Sequence, residues 1–327
     1  MKDIEFKGII PPTLTLFNEY GEIDEKCNRD YLEFLITAGV HGLFMVGSNG
    51  LGPMMSLEQR KYLAEISLDQ INKRVPSIIH VGTPNCNISL ELAKHAEKNG
   101  ADAVASVPPY YYQHNKEEVI YFFEKLSKSI NIPVFIYNNP KLSGFIATPD
   151  ITVELAKRGV KGIKDSGFNI ISFYVMKDKM EVLGIDFQSI IGSDALWLPS
   201  LLVNTKAVIS ALANVFPKFM VDFYNKSIKE ESLQSIAEIQ MKVIRIRDLL
   251  QTGELNVPRS LAALEIVGLN PGKPVCPFKE LEISEKEIIK TELQKEKMLW
   301  RQNDSFYLET LMQNIICKKM IKYQNIV

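Results

Sequence analysis

The chain has 327 residues, 46% of them apolar, and a formal net charge of −1. That length and apolar content support a substantial core in one large domain or two ordinary ones, and the near-neutral balance gives no electrostatic ground for nucleic acid or an anionic membrane. No apolar run approaches the roughly 20 residues of a membrane-spanning helix. The cysteines at 27, 86, 276 and 317 have neither metal spacing nor the look of a disulfide framework, which fits a reducing compartment. The opening MKDIEFKGIIPPT lacks the apolar segment of a secretory signal, so a cytoplasmic protein is expected.

In chain order, short apolar runs alternate with segments of helical period. The runs are KGIIPPTLTLF, GLFMVGS, SIIHVGT, AVASVPP, PVFIYNN, VKGIKDS, FQSIIGS and KAVISAL. Between them lie amphipathic segments such as NISLELAKHAEKNG, where Leu90, Leu92, Ala93 and Ala96 share one face and Gly100 marks the stop. Asp24, Ser56, Asn87 and Thr148 stand where helix N-caps belong. Strands alternating with helices pair in parallel through right-handed crossovers, and near-continuous apolar strands are those covered on both faces. Eight such units within residues 1–230 predict the α/β class and a (β/α)8 TIM barrel. A doubly wound open sheet would carry a glycine fingerprint after its first strand, and PPTLTLFNEYGEID holds none. Residues 231–302 read as a C-terminal helical extension packed on the barrel, and residues 303–327 as a partly apolar tail.

The active site of such a barrel lies at the C-terminal ends of its strands. Reactive residues there are Ser48 and Asn49 after strand two, Tyr110 to Tyr112 after strand four, Tyr137 on strand five and Lys164 on strand six. Gly192 and Asp194 follow strand seven, and Ser210 is placed in strand eight. The four histidines share no ligand spacing, so a zinc or iron site is not expected. A partly desolvated lysine can react as a free amine, add to a ketone and form an electron-withdrawing Schiff base. Taken alone, a strand-end lysine is more often a snorkelling surface group, and a strand-end tyrosine a packing one. GSNG reads as a turn exposing backbone N–H groups suited to a carboxylate, or as an ordinary strand-to-loop turn.

Taken together, GSNGLGP, PPYYY, YNNP and GIKDS occur in order, one per strand end. This combination resembles the pyruvate-dependent class I aldolases of the dihydrodipicolinate synthase and N-acetylneuraminate lyase superfamily, over roughly the first 300 residues. The resemblance implies a TIM barrel, Schiff-base chemistry without metal or organic cofactor, a 2-oxo acid and an aldehyde as partners, and a homotetramer. It implies Lys164 as the Schiff-base lysine and Tyr137 as the proton shuttle. Ser48 and Asn49 match the carboxylate-holding pair, with Asn where Thr is usual. Tyr111 matches the tyrosine that reaches a neighbouring subunit's site, and Gly192, Asp194 and Ser210 fall where some members bind sugar-acid hydroxyls.

The departures bear on substrate. Leu142 replaces the arginine with which dihydrodipicolinate synthases hold a second carboxylate. Leu51 and Ala195 stand where N-acetylneuraminate lyases carry Glu. GLGP, the triple tyrosine and GIKD look most like the archaeal 2-keto-3-deoxygluconate aldolases of Entner–Doudoroff-type pathways. His114 replaces the arginine that helps some of those take a phosphorylated substrate, and Asn139 replaces a tyrosine, so the unphosphorylated sugar acid is expected. The alternatives are a lyase, synthase or hydratase of the same superfamily, and a keto-acid-binding sensor, for which Lys164 and Tyr137 would be superfluous.

Overall fold

A computed structural model describes residues 4–229, 232–251 and 257–299. Eight strands form one all-parallel sheet: β1 Gly8–Ile10, β2 Leu43–Met45, β3 Ser77–His80, β4 Ala103–Ser106, β5 Val134–Asn138, β6 Gly162–Asp165, β7 Gln188–Ile191 and β8 Ala207–Ile209. Their order, β1-β8-β7-β6-β5-β4-β3-β2, is that of a barrel. The remaining seam is drawn together beyond β1, where Thr13 N–H donates to the Phe44 carbonyl (2.9 Å) and Phe44 N–H to that of Pro11 (3.0 Å). The chain is a TIM barrel. Ser210, read as part of strand eight, lies one residue past it and still donates its N–H to the Ile10 carbonyl.

The connecting helices are α1 Glu25–Thr37, α2 Leu57–Ile71, α3 Cys86–Lys98, α4 Lys116–Ser129, α5 Pro140–Ser143, α6 Pro149–Lys157, α7 Ile170–Val182, α8 Trp197–Leu201 and α9 Pro217–Ile228. Asp24, Ser56 and Thr148 cap as predicted, Ser56 within a reciprocal capping box with Gln59. Asn87 does not: it lies inside α3, and the cap is Asn85, whose side chain accepts from the N–H groups of Asn87 and Ile88. The helix begins two residues earlier because Asn85 meets two of the free first-turn donors. Such a cap stabilises by about 1 kcal/mol. On the inner face of α3, Ser89 joins Leu92, Ala93 and Ala96 in full burial, while Leu90 is half-buried.

Alternate strand residues fill the barrel interior. Phe44, Ile78, Ala103, Ala105, Phe135, Tyr137, Ile190, Ala207 and Ile209 form one cluster, closed below by Phe6. Large rings face small residues. A Cβ on Gly162 would lie 2.2 Å from the Phe135 ring, so only glycine leaves that ring its place. Interior packing to this density is what lets a charged side chain near the top be stripped of water.

The chain divides into two compact units, 1–280 and 281–327. The first carries the barrel with helices α10 Leu233–Leu250 and α11 Val257–Ile266; the second contains α12 Ile283–Lys295. The expected tail at 303–327 lies outside the described residues. Among the described residues no helix is long and apolar enough to cross a membrane.

Candidate active site

Lys164 and Tyr137 are Cα partners in the β5–β6 ladder. Partnered residues on neighbouring strands project to the same face, so both enter the barrel mouth side by side. Lys164 is 3% exposed, with Nζ 3.7 Å from the centre of the Tyr137 ring and 4.0 Å from that of Phe44. Burial pulls its amine below the ordinary lysine value, against the opposing pull of Tyr137. Burial raises the Tyr137 phenol, but the Lys164 charge and the polar side chains of Asn139 and Ser48 outweigh it, so the phenol stands below its ordinary value. Asn139 Nδ2 donates to the phenol oxygen at 3.0 Å. The lowering of Tyr137 depends on a charged neighbour and weakens when the amine is neutral. The titrations of amine and phenol are thus linked, a base and an acid held in contact.

Beside it, the chain leaves β2 through a strained turn. Val46 has φ +60° and Leu51 φ +56°, left-handed values that β-branched and bulky residues rarely adopt. Ser48 and Asn49 lie half-buried between them. The turn is braced from three sides. Thr15 Oγ1 donates to the Gly50 carbonyl (2.6 Å), Leu51 N–H to that of Ser48 (3.1 Å) and Gly52 N–H to that of Gly47 (3.0 Å). A Cβ on Gly52 would stand 1.9 Å from the Val46 carbonyl oxygen. Ser48 thus reaches the electrostatic environment of Tyr137 from a loop with little freedom to move.

Gly192, Asp194 and Ser210 gather after β7 and β8. Gly192 N–H donates to the Asp165 carbonyl at 2.6 Å, and a Cβ there would meet Ser166 Oγ at 2.2 Å. Asp194 is 1% exposed; its Oδ2 accepts from Leu212 N–H at 3.1 Å, while Oδ1 is buried with no hydrogen-bond partner. Burial raises its carboxyl above the ordinary range, partly offset by Ser210, the Leu212 and Ala211 amides and the Arg247 charge. Gln240 on α10 pins the turn by donating to the Asp194 carbonyl (3.0 Å) and accepting from Leu198 N–H (3.1 Å). Asp165, beside Lys164, faces away from the barrel axis and ties Asn138 Nδ2 (3.1 Å) to Gly167 N–H (2.8 Å).

Tyr111 stands apart. It is 88% exposed, has φ +80° and packs edge-on to Tyr112 at 5.1 Å. Within one chain the structure brings Lys164, Tyr137 and Ser48 together and groups Asp194 with Ser210. Three neighbours of the amine escaped the sequence reading as site residues: Phe44, His80 and, as a partner of Tyr137, Asn139. His80 carries a usable signal, lying two residues after interior Ile78 on β3. Among the described residues no cluster of His, Cys, Asp and Glu is placed to hold a metal.

A closed parallel barrel with a dry lysine amine against a tyrosine at its C-terminal mouth has the form of a class I, Schiff-base lyase. The chain belongs to the dihydrodipicolinate synthetase family, whose model matches residues 5–296. Enzymes of this family are lyases that join a lysine to pyruvate as a Schiff base and need no cofactor. It is 31% identical over 294 residues to the 4-hydroxy-tetrahydrodipicolinate synthase of Methanopyrus kandleri, covering 89% of this chain and 96% of that one. YagE of Escherichia coli K12, provisionally assigned as a 2-dehydro-3-deoxy-D-gluconate aldolase, is 31% identical over 300 residues, covering 90% of this chain and 98% of YagE. The YagE crystal structure in complex with pyruvate matches with a TM-score of 0.85 over 90% of this chain and 100% of that one, at 30% identity. The KD(P)G aldolase of T. tenax matches with a TM-score of 0.81 at 25% identity, over 89% and 99% of the two chains.

Proposed function

We propose that this protein cleaves 2-keto-3-deoxygluconate to pyruvate and glyceraldehyde through a Schiff base on Lys164. The observation that carries the reading is the buried amine of Lys164 against the Tyr137 ring. Burial favours the neutral, nucleophilic amine, and the same dry setting strengthens every charge that develops later. Lys164 adds to the C2 ketone and water leaves, giving an iminium. Tyr137 takes the proton of the C4 hydroxyl, the C3–C4 bond breaks into the iminium, and the aldehyde departs. The enamine takes a proton at C3, and water returns the amine and pyruvate. Ser48 and Asn49 hold the pyruvate carboxylate with the N–H groups of their braced turn.

The distal residues support a neutral polyhydroxy tail. Asp194 offers a buried acceptor oxygen without a partner, suited to a substrate hydroxyl, with Ser210 and Gly192 beside it. Leu142, half in solvent, cannot hold the second carboxylate that tetrahydrodipicolinate synthesis requires, which counts against that reading despite the Methanopyrus relative. His114, facing Glu118 at 3.3 Å, makes a weak phosphate partner, so the unphosphorylated sugar acid is preferred. Exposed Tyr111, Ile171, Val175 and Leu202 supply apolar surface for other copies, in keeping with a homotetramer in which Tyr111 completes a neighbour's site.

Borohydride reduction with pyruvate, followed by mass mapping, tests the chemistry: an adduct on Lys164 is expected, and a folded protein without one ends the proposal. Comparing kcat/KM on the sugar acid and its 6-phosphate tests the substrate; equal or better use of the phosphate refutes the preference.

A further inference from the structure

His80 ends β3 inside the barrel, is 1% exposed and has no part in the reaction above. Its ring completes a triangle with Phe44 and Tyr137. The centroids stand 6.2 Å apart for His80–Phe44, 6.0 Å for His80–Tyr137 and 5.8 Å for Phe44–Tyr137. The Lys164 amine rests over two of the three rings. His80 meets Tyr137 edge-on, at 88°. Its Nε2 accepts from Val107 N–H, just beyond β4, at 3.3 Å. Gly82 clears the space, since a Cβ there would lie 2.9 Å from Nε2. From α2, Arg60 reaches the strand end and donates to the carbonyls of His80 (2.8 Å) and Gly82 (3.1 Å). Ring and backbone of His80 are thus both held by hydrogen bonds.

We propose that His80 is a positioning residue whose imidazole braces the Tyr137 ring, and through it the Lys164 amine, against the β4 backbone. An apolar ring could fill the same space but could not accept the Val107 N–H, leaving that buried donor unpaired. The imidazole must also stay uncharged, because a second cation beside the amine would oppose the iminium. The titratable groups facing it are Arg60 from α2, Lys164 from β6 and Tyr137 from β5. Burial, then Arg60 and Lys164, hold it well below its ordinary value. Nε2 as acceptor is the form this requires.

The inference rests on the proposed Schiff-base reading, and one assay separates the two. In D2O, an enzyme that forms the iminium and enamine replaces the pyruvate methyl protons with deuterium, which NMR follows without any aldehyde. Exchange by the wild type supports the Schiff base; none overturns that reading and this inference with it. H80L keeps bulk without nitrogens, and H80Q restores an acceptor within reach of Val107 N–H. H80L should lower kcat for exchange by about 10- to 100-fold with KM for pyruvate within about threefold, and H80Q should recover most of the loss. Wild-type kcat in folded H80L, or a change in KM alone, overturns the positioning role while leaving the Schiff base standing. If H80L fails to fold by circular dichroism, H80N, too short to reach Val107, takes its place with the same expectation, and unchanged kcat in it is equally fatal.

Discussion

Phe44→Leu isolates what the ring beneath the amine contributes. Phe44 is fully buried, and its ring centre lies 4.0 Å from Lys164 Nζ. A cation over a desolvated aromatic face gains about 1–2 kcal/mol, worth roughly 5- to 30-fold in an equilibrium constant. Leucine keeps apolar contact and loses the quadrupole, at a folding cost of about 1–2 kcal/mol. The effect on pyruvate binding should depend on pH. Below the lowered value of the amine, free enzyme and iminium both carry a cation over the ring, and the loss cancels. Above it only the iminium does, so the F44L adduct weakens by the full factor. The assay is the fraction of protein reduced by borohydride, read by intact mass against pyruvate concentration from acid to alkaline pH. Equal weakening at every pH, in folded protein, would show packing rather than charge at work and refute the reasoning.

Gly52→Ala drives a Cβ into the Val46 carbonyl, so the Ser48 turn must shift. KM for pyruvate should rise by roughly 10- to 100-fold, the worth of a hydrogen bond to a charged group, and an unchanged KM would clear the turn of carboxylate binding. The Asp194 carboxyl is held above its ordinary 3.8, so its stabilising contribution is full below that pH and is lost as pH rises through the folded value. D194N, lacking that titration, should gain in Tm relative to wild type as pH climbs from 3.8 upward; a constant difference across pH contradicts this. Tyr111→Phe should lower kcat by about 10²-fold or more without altering oligomer mass. Mixed and reassembled K164M and Y111F protomers should then exceed either parent, and no recovery would place Tyr111 outside any shared site.

The barrel was legible because eight apolar runs recur with helical segments between them, and strand-end residues could be named from that rhythm alone. Lys164 and Tyr137 fall in one ladder position because each stands at the matching place in its run. The cap of α3 was misplaced by two residues, since Asn85 and Asn87 are the same residue type and only geometry shows which meets the free amides. A lone histidine in a short apolar strand reads as core, and only its parity with Ile78 turns His80 into the barrel. Its contacts come from β2, α2, β4 and β5, far apart in sequence. Arg60 hid for the same reason: adjacent Arg60 and Lys61 on one helix do not announce which cation turns inward.

The spacing of Tyr137 and Lys164 is set by backbone hydrogen bonds between two central strands, not by the loops that follow. The stretches around His114 and Leu142 can change residue while that spacing holds, whereas the braced Ser48 turn must be kept. Retargeting such an enzyme is therefore a matter of loop exchange, with bond making and breaking carried over intact. The converse is equally strict. A slip of one residue in the β5–β6 pairing would point one partner outward, and no loop change could restore the lost reaction.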